Sequence, residues 1–314
     1  MDTQTADAVE WLLASDEPAV RQLTRRHLLG DATDDDRADV PAGPAVSALL
    51  SGQEKDGGFG EGPYRKWTGA HWRLVALAEL EAPADDARVA AMAEHVLEWI
   101  SADLLARHRV VDGLPRVHAS IHGNALGACT RLGLADDPRT HRLAEALVSW
   151  QWPDGGWNCS IKARGHRSSF HESHRAAWGL NEYARATGHE AAASAADRTA
   201  ELFLEHRVFR RSGDGDPIHP RWMKLVHPSY WHYDVLSGLT VLAALGRVTD
   251  TRAEDALDHL EEQRGPDGRW QPQARWWRPA TSRASADVVD RGRPGRPSPW
   301  LTLTALRVLK TAGR

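Results

Sequence analysis

Three copies of one short phrase recur along the chain: Gln53-Glu54-Lys55-Asp56-Gly57-Gly58-Phe59, Gln151-Trp152-Pro153-Asp154-Gly155-Gly156-Trp157 and Gln263-Arg264-Gly265-Pro266-Asp267-Gly268-Arg269-Trp270. Each copy follows an apolar helical stretch and precedes, after a loop, a second helix rich in Ala, Leu and Trp. A unit repeated in this way cannot bury its apolar face alone, so stacked helix, turn, helix units are expected. Tryptophan is the odd entry in the composition, at 14 against 4 phenylalanines. Trp157 and Trp270 are expected to pack on their turns, with each indole N–H finding a partner.

Apolar periodicity and breakers divide the helical segments into two alternating sets. One set covers 4–14, 43–52, 87–106, 138–151, 191–209 and 251–263 and carries many charges. The other covers 18–29, 69–81, 118–132, 172–186, 229–245 and 299–311 and is richer in Ala, Gly and Leu. A helix apolar on most sides must be buried on most sides, which makes the second set an inner ring and the first an outer ring. Gly30, Gly133, Gly188, Gly246 and Gly313 stand where left-handed caps would end the inner helices. The expected fold is all-α, a single α6-α6 toroid spanning residues 1–314 as one domain, with 271–298 a long Arg- and Pro-rich loop within it.

The Gln-to-Asp-Gly-Gly-Trp phrases resemble the repeats of the squalene cyclase and protein prenyltransferase superfamily. That resemblance implies the toroid, and with it a central ligand cavity. Asp112-Gly113-Leu114 and Asp214-Gly215-Asp216 look like decayed copies. The cyclase branch uses an Asp-x-Asp-Asp acid, and no such string occurs here. Zinc-holding prenyltransferase subunits use an Asp-x-Cys pair plus a His, and that pair is missing too. Asp35-Asp36-Arg37-Ala38-Asp39 matches a magnesium-binding string of other terpene synthases, but it lies in an inner-to-outer loop, where chance accounts for it better.

Two cysteines, Cys129 and Cys159, do not make a disulfide framework. No apolar run approaches the ~18 residues needed to cross a bilayer, and the start lacks a basic segment followed by an apolar core. A cytoplasmic protein is expected. A net charge of -4 removes the usual basis for nucleic-acid binding across the whole surface. Local charge differs: 158–171 carries Lys162, Arg164 and Arg167, and 271–298 carries Arg275, Arg278, Arg283, Arg291, Arg293 and Arg296 against Asp287 and Asp290. Such a rim suits an anionic head group, and a solvated loop is the other reading of the second segment.

Chemistry is expected at the starts of the inner helices, where many of the 16 histidines gather. His71, Trp72, His118, His122, His171, Tyr230, Trp231, Tyr233 and Trp300 are the expected ligand-binding residues, with 118 and 122, 171 and 174, and 230, 233, 234 and 237 sharing helix faces. Asp234 is the preferred acid, Glu172 the alternative, and His174 a proton relay. Cys159, His166, His171 and His174 form a possible zinc set, but no cofactor is the expectation. The partner is then an apolar or amphiphilic small molecule, in a terpenoid cyclase-like acid/base reaction. A noncatalytic binding or scaffold toroid stands as the alternative. A carbohydrate-active α/α barrel is a third reading, against which the Asp-Gly-Gly-Trp turns argue. Oligomeric state is not readable from the sequence.

Overall fold

The computed structural model describes residues 2–104, 108–162, 165–275, 288 and 294–314. Thirteen α-helices lie among the described residues: α1 (Thr3–Leu13), α2 (Pro18–Thr24), α3 (Asp34–Ala38), α4 (Pro44–Leu50), α5 (Ala70–Glu79), α6 (Ala87–Trp99), α7 (Ala119–Cys129), α8 (Pro138–Ser149), α9 (Phe170–Thr187), α10 (Glu190–Glu205), α11 (Val235–Ala244), α12 (Glu254–Glu262) and α13 (Pro299–Ala312). The all-α class is as expected. The described strands are β1 (Arg109–Val111) and β2 (Leu114–Arg116), an antiparallel hairpin. Its turn is Asp112-Gly113, with φ of 53° and 74°. Two consecutive left-handed residues give the turn that matches strand twist, so this Asp-Gly is a hairpin turn rather than a decayed copy of the repeat.

Helices pack as two compact units, one of Met1–Ser51, Leu80–Pro83 and Leu204–Arg314, the other of Gly52–Glu79 and Ala84–Phe203. In the second unit α7 stands between α5 and α9, with α6 and α8 packed outside it. In the first unit α13 packs on α11, α1 and α2, and α12 packs on α11. Burial sorts the helices as their composition predicts. Val89, Met92, Ala93, Val96 and Leu97 form one apolar stripe on α6, the i, i+3, i+4, i+7, i+8 pattern of a helix covered on one face. All residues of α7 from Ala119 to Cys129 are buried. The five expected glycine stops all adopt positive φ.

The repeated turns act as struts. Trp157 Nε1–H donates to the Leu147 carbonyl at 2.9 Å, and Trp270 Nε1–H donates to the Leu260 carbonyl at 2.7 Å, so both indoles staple their turns to the preceding helix. The amide of Gln151 donates to the carbonyls of Gly155 and Ala195, both at 2.8 Å, which ties the turn to α10 as well. Gly155, at φ 90°, lies so close to Arg198 on α10 that a Cβ would strike its carbonyl.

Asp35-Asp36 falls in α3, where Thr33 and Asp36 form a reciprocal capping box. Charge at a helix start explains that acidic run without a metal.

Candidate functional site

Glu172 lies in the first turn of α9 and is buried. Burial raises the cost of its charge and pushes its carboxyl up, but the His118 imidazole and the Ser120 N–H outweigh that and hold it below the usual carboxylate range. One carboxylate oxygen, Oε2, accepts from the Ser120 N–H at the start of α7 at 2.8 Å. The other, Oε1, lies 3.7 Å from Nδ1 of His118, the N-cap residue of α7. Cys159, in the loop between the Trp157 turn and α9, completes the group: one ligand-type atom from each of His118, Cys159 and Glu172 lies within 4.8 Å of the other two. Contact with Cys159 first, and Glu172 second, lifts the His118 imidazole to about 10, which leaves it charged at neutral pH. The helix starts that the sequence marks for chemistry therefore meet here in part.

Tyr64 connects this group to the interior of its unit. Burial first, and then the charges of Glu172 and Cys159, push its phenol up to about 12. Its ring lies 5.3 Å from Trp72 and 6.3 Å from His71. His71 in turn packs edge-on against Trp72 and Trp99. His122 Nδ1–H donates to the His118 carbonyl at 2.9 Å and His174 Nδ1–H to the Phe170 carbonyl at 3.0 Å, which makes Nε2 the acceptor in each neutral ring. His122 also stands edge-on to Trp150.

His71 is fully buried, and neither ring nitrogen has a hydrogen-bond partner among the described residues. Burial, then the neighbouring His122 and Arg175, hold it down to about 3 from 6.5. Between those two values the unfolded chain binds a proton that the folded chain refuses, so stability falls as pH drops through that window. The slope is about 1.4 kcal/mol per pH unit at most. Between pH 7 and pH 5 the denaturant midpoint of wild type is expected to fall by more than that of His71→Leu. Parallel pH dependences would refute this account of His71.

Asp234 has a different setting. Helix α11 begins at Val235, not at 229, because Tyr230 takes a left-handed φ of 54° and Asp234 caps the helix from extended backbone. Its Oδ1 accepts from the Ser237 N–H at 2.8 Å and hydroxyl at 2.7 Å, and Oδ2 accepts from the Val226 N–H at 3.0 Å. Three donors on one carboxylate suit an anion that orders chain better than an acid that gives up a proton. The expectation that 230, 233, 234 and 237 share a helix face is therefore corrected. Tyr233 donates to the Val208 carbonyl at 2.7 Å, Trp231 stacks on His232 at 3.9 Å, Trp300 stacks with His227 at 6.2 Å, and Tyr230 is buried. Asp234→Ala is expected to cost about 1–2 kcal/mol in an unfolding titration, the loss typical of a good cap. A change within experimental error would remove that role.

The zinc set considered from sequence is also rearranged. Cys159 sits with His118 and Glu172, while His166 is exposed, His171 half-buried and His174 turned to the Phe170 carbonyl. Tyr64, Trp99 and Trp150 were not expected at the site. Tyr64 had one usable signal, its place between the first Asp-Gly-Gly phrase and an inner-helix start. Arg164, Arg278, Arg283, Arg291 and Arg293 fall outside the described residues, and with them most of the expected cationic rim.

No known family model and no curated protein matches the chain. Among solved structures, a protein from Actinoplanes is similar at 19% identity over 99% of each chain, with a TM-score of 0.48. The GH76 α-mannanase BT2949 of Bacteroides thetaiotaomicron is similar at 15% identity over 77% of this chain and 68% of its own, with a TM-score of 0.43. The R337A form of the type II terpene cyclase MstE from Scytonema, in complex with geranylgeranyl dihydroxybenzoate, is similar at 14% identity over 85% and 95%, with a TM-score of 0.32. None of these likenesses carries an activity over to this chain. No described helix is long and apolar enough to cross a membrane.

Proposed function

We propose that the chain is an enzyme acting by acid/base chemistry on an apolar or amphiphilic, isoprenoid-like small molecule. The observation that supports this most is the meeting of Glu172, His118 and Cys159 at two helix starts, in the same unit as the aromatic and histidine-rich packing around Tyr64, His71 and Trp72. An apolar chain would lie against Trp72, Trp99 and Trp150, whose rings offer large contact area and π faces to developing positive charge. Its reacting end would meet Glu172, His118 and Cys159. Buried Glu172, with one oxygen pinned by a backbone N–H, is positioned at that end, and charged His118 beside it can donate a proton. Neutral His71, and His122 and His174 with Nδ1–H held on backbone carbonyls, are suited to pass protons or to bond a hydroxyl. The repeated phrases, which resemble those of cyclases and prenyltransferases, agree with an isoprenoid as the apolar part.

The test is a thermal-shift panel of prenyl alcohols, prenyl diphosphates, isoprenoid-substituted aromatics and fatty acids, followed by mass spectrometry of incubations with any ligand that binds. A ligand at 100 times its Kd should add about 2.7 kcal/mol of stability. The shift should weaken in Tyr64→Ala, and turnover should fall by about 100-fold or more in Glu172→Gln. Absence of any shift across the panel would sink the reading. Binding with no product would reduce it to a noncatalytic ligand-binding protein.

A further inference from the structure

We infer that His118, Cys159 and Glu172 form a three-ligand site for a zinc-type divalent cation. The site lies at the reaction centre proposed above and rests on that reading for any role in turnover, where a metal-bound water would replace charged His118 as the proton donor; the binding itself follows from the geometry alone.

Two arrangements of a thiol, an imidazole and a carboxylate must be told apart. In a nucleophile relay the imidazole lies between the other two, with the thiol at one ring nitrogen and the carboxylate at the other, and sulfur and oxygen are held apart by the width of the ring. Here all three atoms lie within 4.8 Å of one another, so they converge on a common point. Convergence is what a cation requires. Bonds of about 2.0–2.3 Å in a tetrahedron place ligand atoms roughly 3.3–3.8 Å apart. The His118 Nδ1 to Glu172 Oε1 distance, 3.7 Å, is already in that range.

The supports differ as a metal site's should. Glu172 is buried, and its Oε2 is fixed by the Ser120 N–H, so Oε1 is aimed at the group by an outer-shell bond. His118 is exposed and Cys159 is half-buried, so the ligands that must adjust are those with room to move. Thiolate, imidazole and carboxylate together favour a borderline-soft ion over magnesium or calcium. Three protein ligands leave a fourth tetrahedral position for water or substrate, where the ion would act as a Lewis acid.

A second cluster serves as an internal contrast. His141, Glu145 and His189 also have ligand-type atoms within 4.8 Å of one another. But His189 Nδ1 accepts from the Ala192 N–H at 3.1 Å at the start of α10, which places its hydrogen on Nε2, 2.7 Å from Glu145 Oε1. A nitrogen that carries a hydrogen offers no lone pair to a cation. Position alone therefore does not make a site: charged His118 can release its Nδ1 proton when a cation binds while keeping the one on Nε2, so metal uptake there releases a proton, whereas His189 has no such proton to give without losing its bond to the Ala192 N–H.

The experiment is to strip the purified full chain with a chelator and titrate it with Co(II) alone, then to compete the Co(II) with Zn(II). One equivalent should bind, with a sulfur-to-cobalt charge-transfer band in the near ultraviolet and visible bands of tetrahedral intensity. Cys159→Ser should lose the charge-transfer band. His118→Ala and Glu172→Gln should weaken binding by at least 10-fold, each checked for folding by circular dichroism. Cys129→Ser and His141→Ala should leave the titration unchanged. Binding below half an equivalent, or a charge-transfer band that survives in Cys159→Ser, would overturn the inference. Ligand-induced thermal shifts in a protein that takes up no metal would do so too, while leaving the proposed function standing. Stoichiometric metal uptake without any small-molecule shift would support the inference and remove the proposed function instead.

Discussion

Replacing Trp157 by alanine is expected to lower stability by about 3–5 kcal/mol, the range for removing a large aromatic side chain from a well-packed interior. Trp157 is fully buried, and its N–H is the partner of the Leu147 carbonyl. Two losses combine: the packing of the indole and the satisfaction of a buried backbone acceptor. Trp157→Phe separates them, because it keeps most of the ring and leaves the carbonyl unpaired at a cost of about 1–3 kcal/mol. Urea unfolding of both variants checks the ranking. If the alanine variant lost less than the phenylalanine variant, the strut role of the repeated turn would be refuted.

Gly123→Ala is expected to cost about 1–3 kcal/mol, the penalty for forcing atoms into a packed contact that cannot give. Gly123 on α7 faces the backbone of α9, where a Cβ would meet the Arg175 carbonyl and Ala176 Cα. Gly179 answers from α9, since a Cβ there would meet the Gly123 backbone. Two facing glycines let the helices approach backbone to backbone, and α7 and α9 carry Ser120 and Glu172 at their starts. A methyl group at 123 should push the helices apart and lengthen the Ser120 to Glu172 bond. Gly127→Ala makes a useful comparison, because its obstacle is the Trp178 side chain, which can turn aside. Equal losses in the two variants would argue against a rigid contact between α7 and α9.

Much of the helix inventory was legible from sequence because its signals are local. The stripe on α6, the uniformly apolar α7 and the five glycine stops depend on periodicity and on left-handed backbone, both written in neighbouring residues. Around 229–234 the same logic misled. Residues 229–234 have acceptable helical spacing, but Tyr230 and the capping carboxylate of Asp234 end the pattern before it starts, and a spacing rule does not register that competition. Asp112-Gly113 misled for a related reason, since one dipeptide serves both a repeat turn and a hairpin.

The candidate site was legible as a list of residue types and not as a set of contacts. Local patterns were enough to say that helices alternate between covered and half-covered and that Trp157 and Trp270 staple their turns. Packing, not spacing, brings Cys159 to His118 and Glu172 rather than to His166, His171 and His174. Separation explains this: His118 and Glu172 stand 54 positions apart along the numbering, and their approach is set by how closely α7 packs on α9. Helix periodicity carries no information about that distance. Two facing glycines, each unremarkable within its own helix, set it.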